Sequence, residues 1–192
     1  MSPTRKQIED LDTLRAFVHP LRIRLLGALR LHGPATASEL ARRLGESSGA
    51  TSYHLRQLER FGFVADDDQQ PSRRERRWRA VHELTSWETS SFIDDEVGRG
   101  AVQDLQQMQL RLLVESLQKW YTQQHRWGRD WVDAAEHSDR AVRVTADELA
   151  AMSAEVGSVI ERYRQPHARE ENETAQTVVV HLVTVPVPEP DS

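Results

Sequence analysis

The sequence predicts a mainly α-helical fold with a small β component, α+β in class, on three observations. Two short helical patterns with leucines at three- and four-residue spacings stand on either side of a tight turn around Gly45. Two β-like runs follow them, flanking a polar, arginine-rich tip. Farther on, a helical pattern free of Pro and Gly runs from Ala101 to about Trp127, and a strand-like, helix-like, strand-like succession comes after it.

Composition limits the function classes. The chain of 192 residues has 29% charged and 38% hydrophobic side chains, enough to bury a real core in one large or two small domains. No apolar run approaches membrane-spanning length and Met1–Lys6 lacks the apolar core of a signal peptide, so a cytoplasmic location is expected. With no cysteine there is no disulfide, thiolate metal site or cysteine nucleophile. The net charge of −5 is unevenly spread: residues 20–80 carry +5, residues 83–192 carry −10 and residues 1–19 balance. Such asymmetry points to a basic binding module joined to an acidic partner region.

Residues 1–10 are polar and read as a flexible arm. Leu14, Phe17 and Val18 mark a short helix, ended by His19-Pro20. Proline suits the first turn of the next helix, roughly 20–32, which carries Leu21, Leu25, Leu26 and Leu29 and stops at Gly33-Pro34. Thr36-Ala-Ser-Glu39 is a capping box, in which hydroxyl and carboxylate each satisfy a backbone donor. That helix turns Leu40 and Leu44 inward and ends at Gly45. Ser47 or Ser48 then caps a second helix, with Thr51, Leu55 and Leu58 on one face and Ser48, Ser52, Tyr53 and Arg56 off it. Gly49 and Ala50 leave room near its start for a DNA backbone or a thymine methyl. Two short helices joined this tightly are the helix-turn-helix pattern, its second helix suited to the major groove. An ordinary amphipathic helix with a solvated polar face is the competing reading, and the order helix, turn, helix, hairpin favours DNA.

Phe63-Val64-Ala65 and the run ending Arg77-Trp78-Arg79-Ala80 are the arms of the hairpin, or wing. Five arginines in the seven residues 73–79 suit phosphate. Against a merely solvated charge run, Arg73, Arg74, Arg76 and Arg77 are taken as the DNA-gripping set. The acidic cluster Asp66–Asp68 fits poorly in a DNA-facing wing. It either pairs with these arginines in the free protein or lies at the base, away from phosphate.

Residues 11–82 resemble the winged helix-turn-helix of bacterial ArsR-type transcriptional regulators. The resemblance rests on Leu14-Arg-Ala-Phe-Val-His-Pro-Leu-Arg-Ile-Arg-Leu-Leu26, on Thr36-Ala-Ser-Glu-Leu-Ala-Arg-Arg-Leu-Gly45, on Ser47 through Leu58 with Ser52, His54 and Leu55, and on Gly62-Phe-Val64. It implies a homodimer, most often a repressor, bound to an inverted-repeat operator in double-stranded DNA. The metal-sensing members use cysteine pairs, or an Asp-x-His with a distant His pair. This chain has neither, and its histidines (19, 32, 54, 82, 125, 137, 167 and 181) include no pair at helical spacing, so no metal or other cofactor is expected. His54 reads as a packing or backbone-contacting residue that could make DNA binding pH-sensitive.

Residues 83–100 read as a polar connector ending at Gly98-Arg-Gly100. The long helix that follows carries apolar residues on more of its circumference than one groove requires, so it is expected to hold a second copy about one DNA turn away. Trp120, Tyr121, Trp127 and Trp131, with Trp87, could line a pocket for a small apolar effector, although such clusters are more often core or interface. Arg140–Val144 alternates like a strand, Thr145-Ala-Asp-Glu148 opens a further helix, and Thr177–Val185 is apolar enough for a central strand. A parallel βαβ crossover or an antiparallel pair would both serve, and so marginal a pair could extend a sheet of the partner subunit or of the wing. The domains expected are a flexible arm 1–10, the winged domain 11–82, a dimerisation and effector region 83–185 with a βαβ-like end, and a loose tail 186–192.

A sequence-specific, dimeric DNA-binding regulator is therefore the leading expectation. The alternative is a winged-helix module for protein contacts or small molecules without DNA readout, which retention of positive charge on 20–80 disfavours. Catalysis is not expected: there is no His-Glu-x-x-His, glycine-rich phosphate loop or Gly-x-Ser-x-Gly.

Overall fold

A computed structural model describes residues 4–68, 76–164 and 174–187. The chain divides into two compact units, Met1–Val114 and Glu115–Ser192. The fold is α+β: a winged helix-turn-helix followed by a long helix.

In the first unit the helices start and stop where side chains can satisfy their ends. Helix α1 (Leu11–Phe17) is capped by Asp10, whose carboxylate accepts from Thr13 N at 2.8 Å. Helix α2 (Pro20–His32) is capped by His19, whose Nδ1 accepts from Leu21 N at 3.2 Å, with Pro20 in its first turn. Helix α3 (Ala37–Leu44) opens on the reciprocal Thr36–Glu39 box and closes at Gly45, whose φ of 71° a side chain would resist. Helix α4 (Ser48–Arg60) follows at once, capped by Ser47 through Ala50 N at 3.2 Å. Leu14, Leu25, Leu26, Leu40, Leu55, Leu58 and Phe63 form a single buried core beneath these helices, so burial of the predicted leucine stripes holds the bundle together.

Strands β2 (Ala35–Thr36), β3 (Val64–Asp66) and β4 (Arg77–Ala80) make an antiparallel sheet of order β2-β4-β3. Trp78 is buried in it and pairs with Ala35 and Asp66. The two-residue β2 escapes sequence reading because it is too short to alternate.

Two expectations near the ends of this unit are overturned. Within the expected flexible arm, β1 (Arg5–Ile8) pairs in parallel with β5 (Leu84–Trp87), and Ile8 is buried in the core. The period-two signal was a single apolar residue, Ile8, among polar neighbours. Nor is 83–100 only a connector, since it holds β5, a 3₁₀ turn Thr89–Phe92 with buried Phe92, and the start of helix α5 (Glu96–Gln123). Asp95 caps that helix, its carboxylate accepting from Val97 N and Gly98 N at 2.9 and 2.8 Å. Gly98 does not end an element. A Cβ there would lie 2.1 Å from the Phe92 carbonyl oxygen, so glycine permits a close backbone approach inside the first helical turn.

Helix α5 crosses from the first unit into the second. Its buried residues, Gly98, Ala101, Val102 and Leu105, all lie in its first half. The second unit continues with helices α6 (Arg129–Ala134) and α7 (Ala146–Arg164). The strand-helix-strand expectation is corrected here: α7 forms, but 140–144 and the described residues 174–187 carry no strand. Neither run finds a ladder partner among the described residues, and apolar character alone cannot make a strand. Most of the predicted acidic loop 167–176, and 188–192 of the predicted tail, lie outside the described residues.

Candidate nucleic-acid interface

Helix α4 is anchored on its inner face and open on its outer one. Thr51, Leu55 and Leu58 are buried, while Ser48, Tyr53 and Arg56 are exposed and Ser52 is half-buried. A Cβ built on Gly49 meets open space, so that glycine leaves a gap on the surface and fills no packing need. The turn into the helix is clamped from α2. Arg24 donates to the Leu44 carbonyl at 2.7 Å and to the Glu46 carboxylate at 3.1 Å, holding α3 and α4 at a fixed approach. Ser47 is engaged as the cap; Ser48 stands beside it at the amino end, where unpaired amides favour an anion.

His54 turns away from the outer face. Its ring lies 4.2 Å from that of His19 and 5.0 Å from Tyr53, and its buried Nδ1 has no partner among the described residues. Burial first, then neighbouring positive charge from Arg22, pushes its pKa below the usual imidazole value, while Glu46 opposes. His19 is lowered by burial, then by His54 and Arg22. The pair therefore packs α4 against the start of α2 as neutral rings.

Each described wing arginine has a carboxylate partner. Arg76 bonds Asp66, bonds Glu59 at 2.5 Å, and stacks its guanidinium 3.8 Å above the Trp78 ring. The Asp66 hydrogen bond leads the causes that raise its pKa above the ordinary arginine value. Arg77 donates to the Pro34 carbonyl at 2.5 Å and lies 3.6 Å from Asp67 and 3.9 Å from Glu39. Arg79 lies 3.6 Å from Asp68. The acidic cluster thus pairs with the wing arginines in the free protein, the first of the two arrangements open in the sequence. Arg73 and Arg74 lie outside the described residues.

Sequence reading passed over one basic feature. Arg42 and Arg43 on α3 join His32 and Arg77 around an open concavity of 520 Å³, with Glu39 at its edge. The adjacent arginines on the outer face of the short helix were the available signal.

The aromatic residues of the second unit form a chain of ring contacts. Trp127 lies 6.2 Å from Trp120 and 6.0 Å from Trp131. Tyr121 stacks on His137, its hydroxyl 2.5 Å from Nδ1. None of these rings is buried. Trp87 belongs to β5 of the first unit, where it pairs with Ile8 and packs on the core. Among the described residues, no group of three or more His, Cys, Asp or Glu could hold a metal, and no helix is long and apolar enough to cross a membrane.

Residues 17–66 match a family described as a helix-turn-helix domain. The segment is a helix-turn-helix domain. With β3 and β4 beside it, the segment has its wing, the arrangement used by DNA-binding winged helices, and the match supports a DNA-binding role for this part of the chain. No curated protein matches the chain. Among solved structures, reduced HlyU from Vibrio cholerae is 27% identical over 35% of this chain, which spans 66% of that one, at a TM-score of 0.30. Mb0332 from Mycobacterium bovis, described as a homodimeric winged helix-turn-helix DNA-binding domain and a possible ArsR-family regulator, is 16% identical, covering 62% of this chain and 87% of its own at 0.33. YusO from Bacillus subtilis is 14% identical, covering 80% and 82% at 0.34.

Proposed function

We propose that the chain is a homodimeric, sequence-specific transcriptional regulator of the ArsR type, acting as a repressor on an inverted-repeat operator and without a regulatory metal. One observation carries the reading: α4 presents Ser48, Ser52, Tyr53 and Arg56 outward from a fully anchored inner face. In this reading the first-turn amides of α4 and Ser48 seat a phosphate. Ser52, Tyr53 and Arg56 read base edges, and Ser47 and His54 hold the helix at its angle. Arg73, Arg74, Arg76 and Arg77 take backbone or minor groove, with Arg42 and Arg43 adding phosphate contacts from α3. Residues 83–185 pair the two copies, and the aromatic chain Trp120, Tyr121, Trp127, Trp131 is where a small apolar effector would bind.

Selection from random double-stranded DNA with the full chain tests the reading. An inverted repeat with half-sites one helical turn apart is expected. Arg56→Ala should then weaken binding by about 1–3 kcal/mol and relax preference at one position, as loss of a bidentate guanine contact does. The carboxylate pairing of Arg76, Arg77 and Arg79 favours a second reading, a winged module for protein contacts whose basic face is already neutralised. Failure to enrich any sequence would select it.

A further inference from the structure

Among the described residues of Glu115–Ser192, none is buried. The local chemistry of this unit is nonetheless well formed. Helix α7 opens on a reciprocal box: Thr145 N donates to the Glu148 carboxylate at 2.8 Å, and Glu148 N donates to the Thr145 hydroxyl at 3.3 Å. Leu149, Met152, Val156 and Ile160 then lie along one side of it, half-buried. Most helical stability in proteins comes from packing of an apolar face, so this stripe calls for a surface to cover it. The missing surface has an obvious source. Val178, Val180 and Leu182, on one face of an extended run, are exposed at 64, 59 and 49%, with no strand partner among the described residues. A contiguous apolar strip of this kind marks an interface.

The chemistry of the strip says what covers it. Thr177–Val185 contains no Asp, Glu, Lys or Arg, within a unit that carries 14 acidic and 8 basic residues. A basic partner would be drawn to the acidic residues and not to this run; an uncharged strip matches another uncharged strip. The run is also nearly two-fold in sequence about His181. Turned antiparallel on itself, it sets Val180 opposite Leu182, Val179 opposite Val183, Val178 opposite Thr184 and Thr177 opposite Val185. Branched apolar pairs of this type are those that stabilise antiparallel ladders. The only other strand-like run in the unit, 140–144, is shorter and carries Arg140 and Arg143.

We propose that Thr177–Val185 pairs antiparallel with the same run of a second copy, centred on His181, and that this shared ladder is the surface on which α7 packs. The presence of a second copy rests on the dimeric reading above; the location and register of the ladder do not. The second unit is thus incomplete in one chain and finished by two.

The absence of native cysteine makes the test direct. Single variants of the full chain, Val178→Cys, His181→Cys and Val185→Cys, are oxidised mildly without DNA. The 181 variant should give the most disulfide dimer. At 178 the equivalent residue of the second copy is offset by six residues, about 20 Å at roughly 3.4 Å per residue, beyond disulfide reach. Mixed Val179→Cys and Val183→Cys chains should form the heterodisulfide in preference to either homodisulfide. Equal cross-linking along the run (a parallel pairing), a maximum away from 181, or no cross-link in a chain that sediments as a dimer would each overturn the ladder. So would a chain that sediments as a monomer. A chain that cross-links at 181 yet enriches no DNA sequence supports the ladder while removing the regulatory reading. One that selects an operator yet cross-links nowhere in 177–185 does the reverse.

Discussion

Arg76 shows how a single side chain can belong to two interactions that exclude each other. Its guanidinium lies between Asp66, Glu59 and the face of Trp78, and every donor it spends there is one withheld from phosphate. These pairs are partly exposed and contribute little to stability, so DNA can displace the carboxylates at modest cost. Asp66→Asn should therefore strengthen operator binding and steepen the dependence of log affinity on log salt by about one unit, because one more counterion is released. A salt-titrated gel shift reads both, and Arg76→Ala should flatten the slope by about one unit; a slope unchanged in that variant would show that Arg76 does not meet phosphate. The outward positions of Ser48, Tyr53 and Arg56 were legible in the sequence, since a helix of known phase with three buried anchors leaves little freedom. The turning of His54 onto His19 was not. The two lie 35 positions apart, and only the packing of α4 on α2 brings the rings together.

At the scale of elements, what could be read followed from local rules. The caps at Thr36 and Thr145 and the stop at Gly45 are written in a few adjacent residues and occur where the sequence places them, and of the two candidate caps Ser47 and Ser48 it is Ser47 that caps α4. Strands were harder because their partners are distant. Ile8 gives no alternation to recognise, yet it is buried through pairing with a strand near residue 87. Conversely, Thr177–Val185 has every local mark of a strand and no ladder among the described residues. Gly98 was misread for a related reason: glycine near a helix start looks like punctuation until the Phe92 carbonyl is seen against it. Gly98→Ala should force that approach apart, unseating buried Phe92 and the first turn of α5. A loss of about 1–3 kcal/mol is expected in urea unfolding, as for other overpacked core positions. Gly100→Ala, which meets open space, is the control and should be neutral or slightly stabilising.

For the whole molecule, charge and protonation set the working range. His19, His54 and His82 all have pKa values pushed below the ordinary 6.5, burial being the first cause in each. Above that value the rings are neutral in both folded and unfolded chains, and their contribution to stability is complete. As pH falls below it the unfolded chain takes up protons that the folded chain resists, so stability is lost toward the depressed folded values. Urea midpoints should therefore fall between pH 7.5 and 5.5, and His54→Gln should shrink that fall. An unchanged pH slope in the variant would remove His54 from the account.

The parallel pairing of β1 with β5 has a consequence in time. Gln7 and Ser86 are 79 positions apart and joined by a 2.6 Å hydrogen bond, so the helix-turn-helix is enclosed between two ends that meet only when all of it exists. During synthesis the first strand leaves the ribosome long before its partner is made, and Ile8 waits unpaired while four helices and the wing emerge. The leucines of α2 to α4 can collapse early, but the domain closes late, and its last step is set by contact distance along the chain. A chain halted before Trp87 would leave Ile8 without the strand that pairs with it.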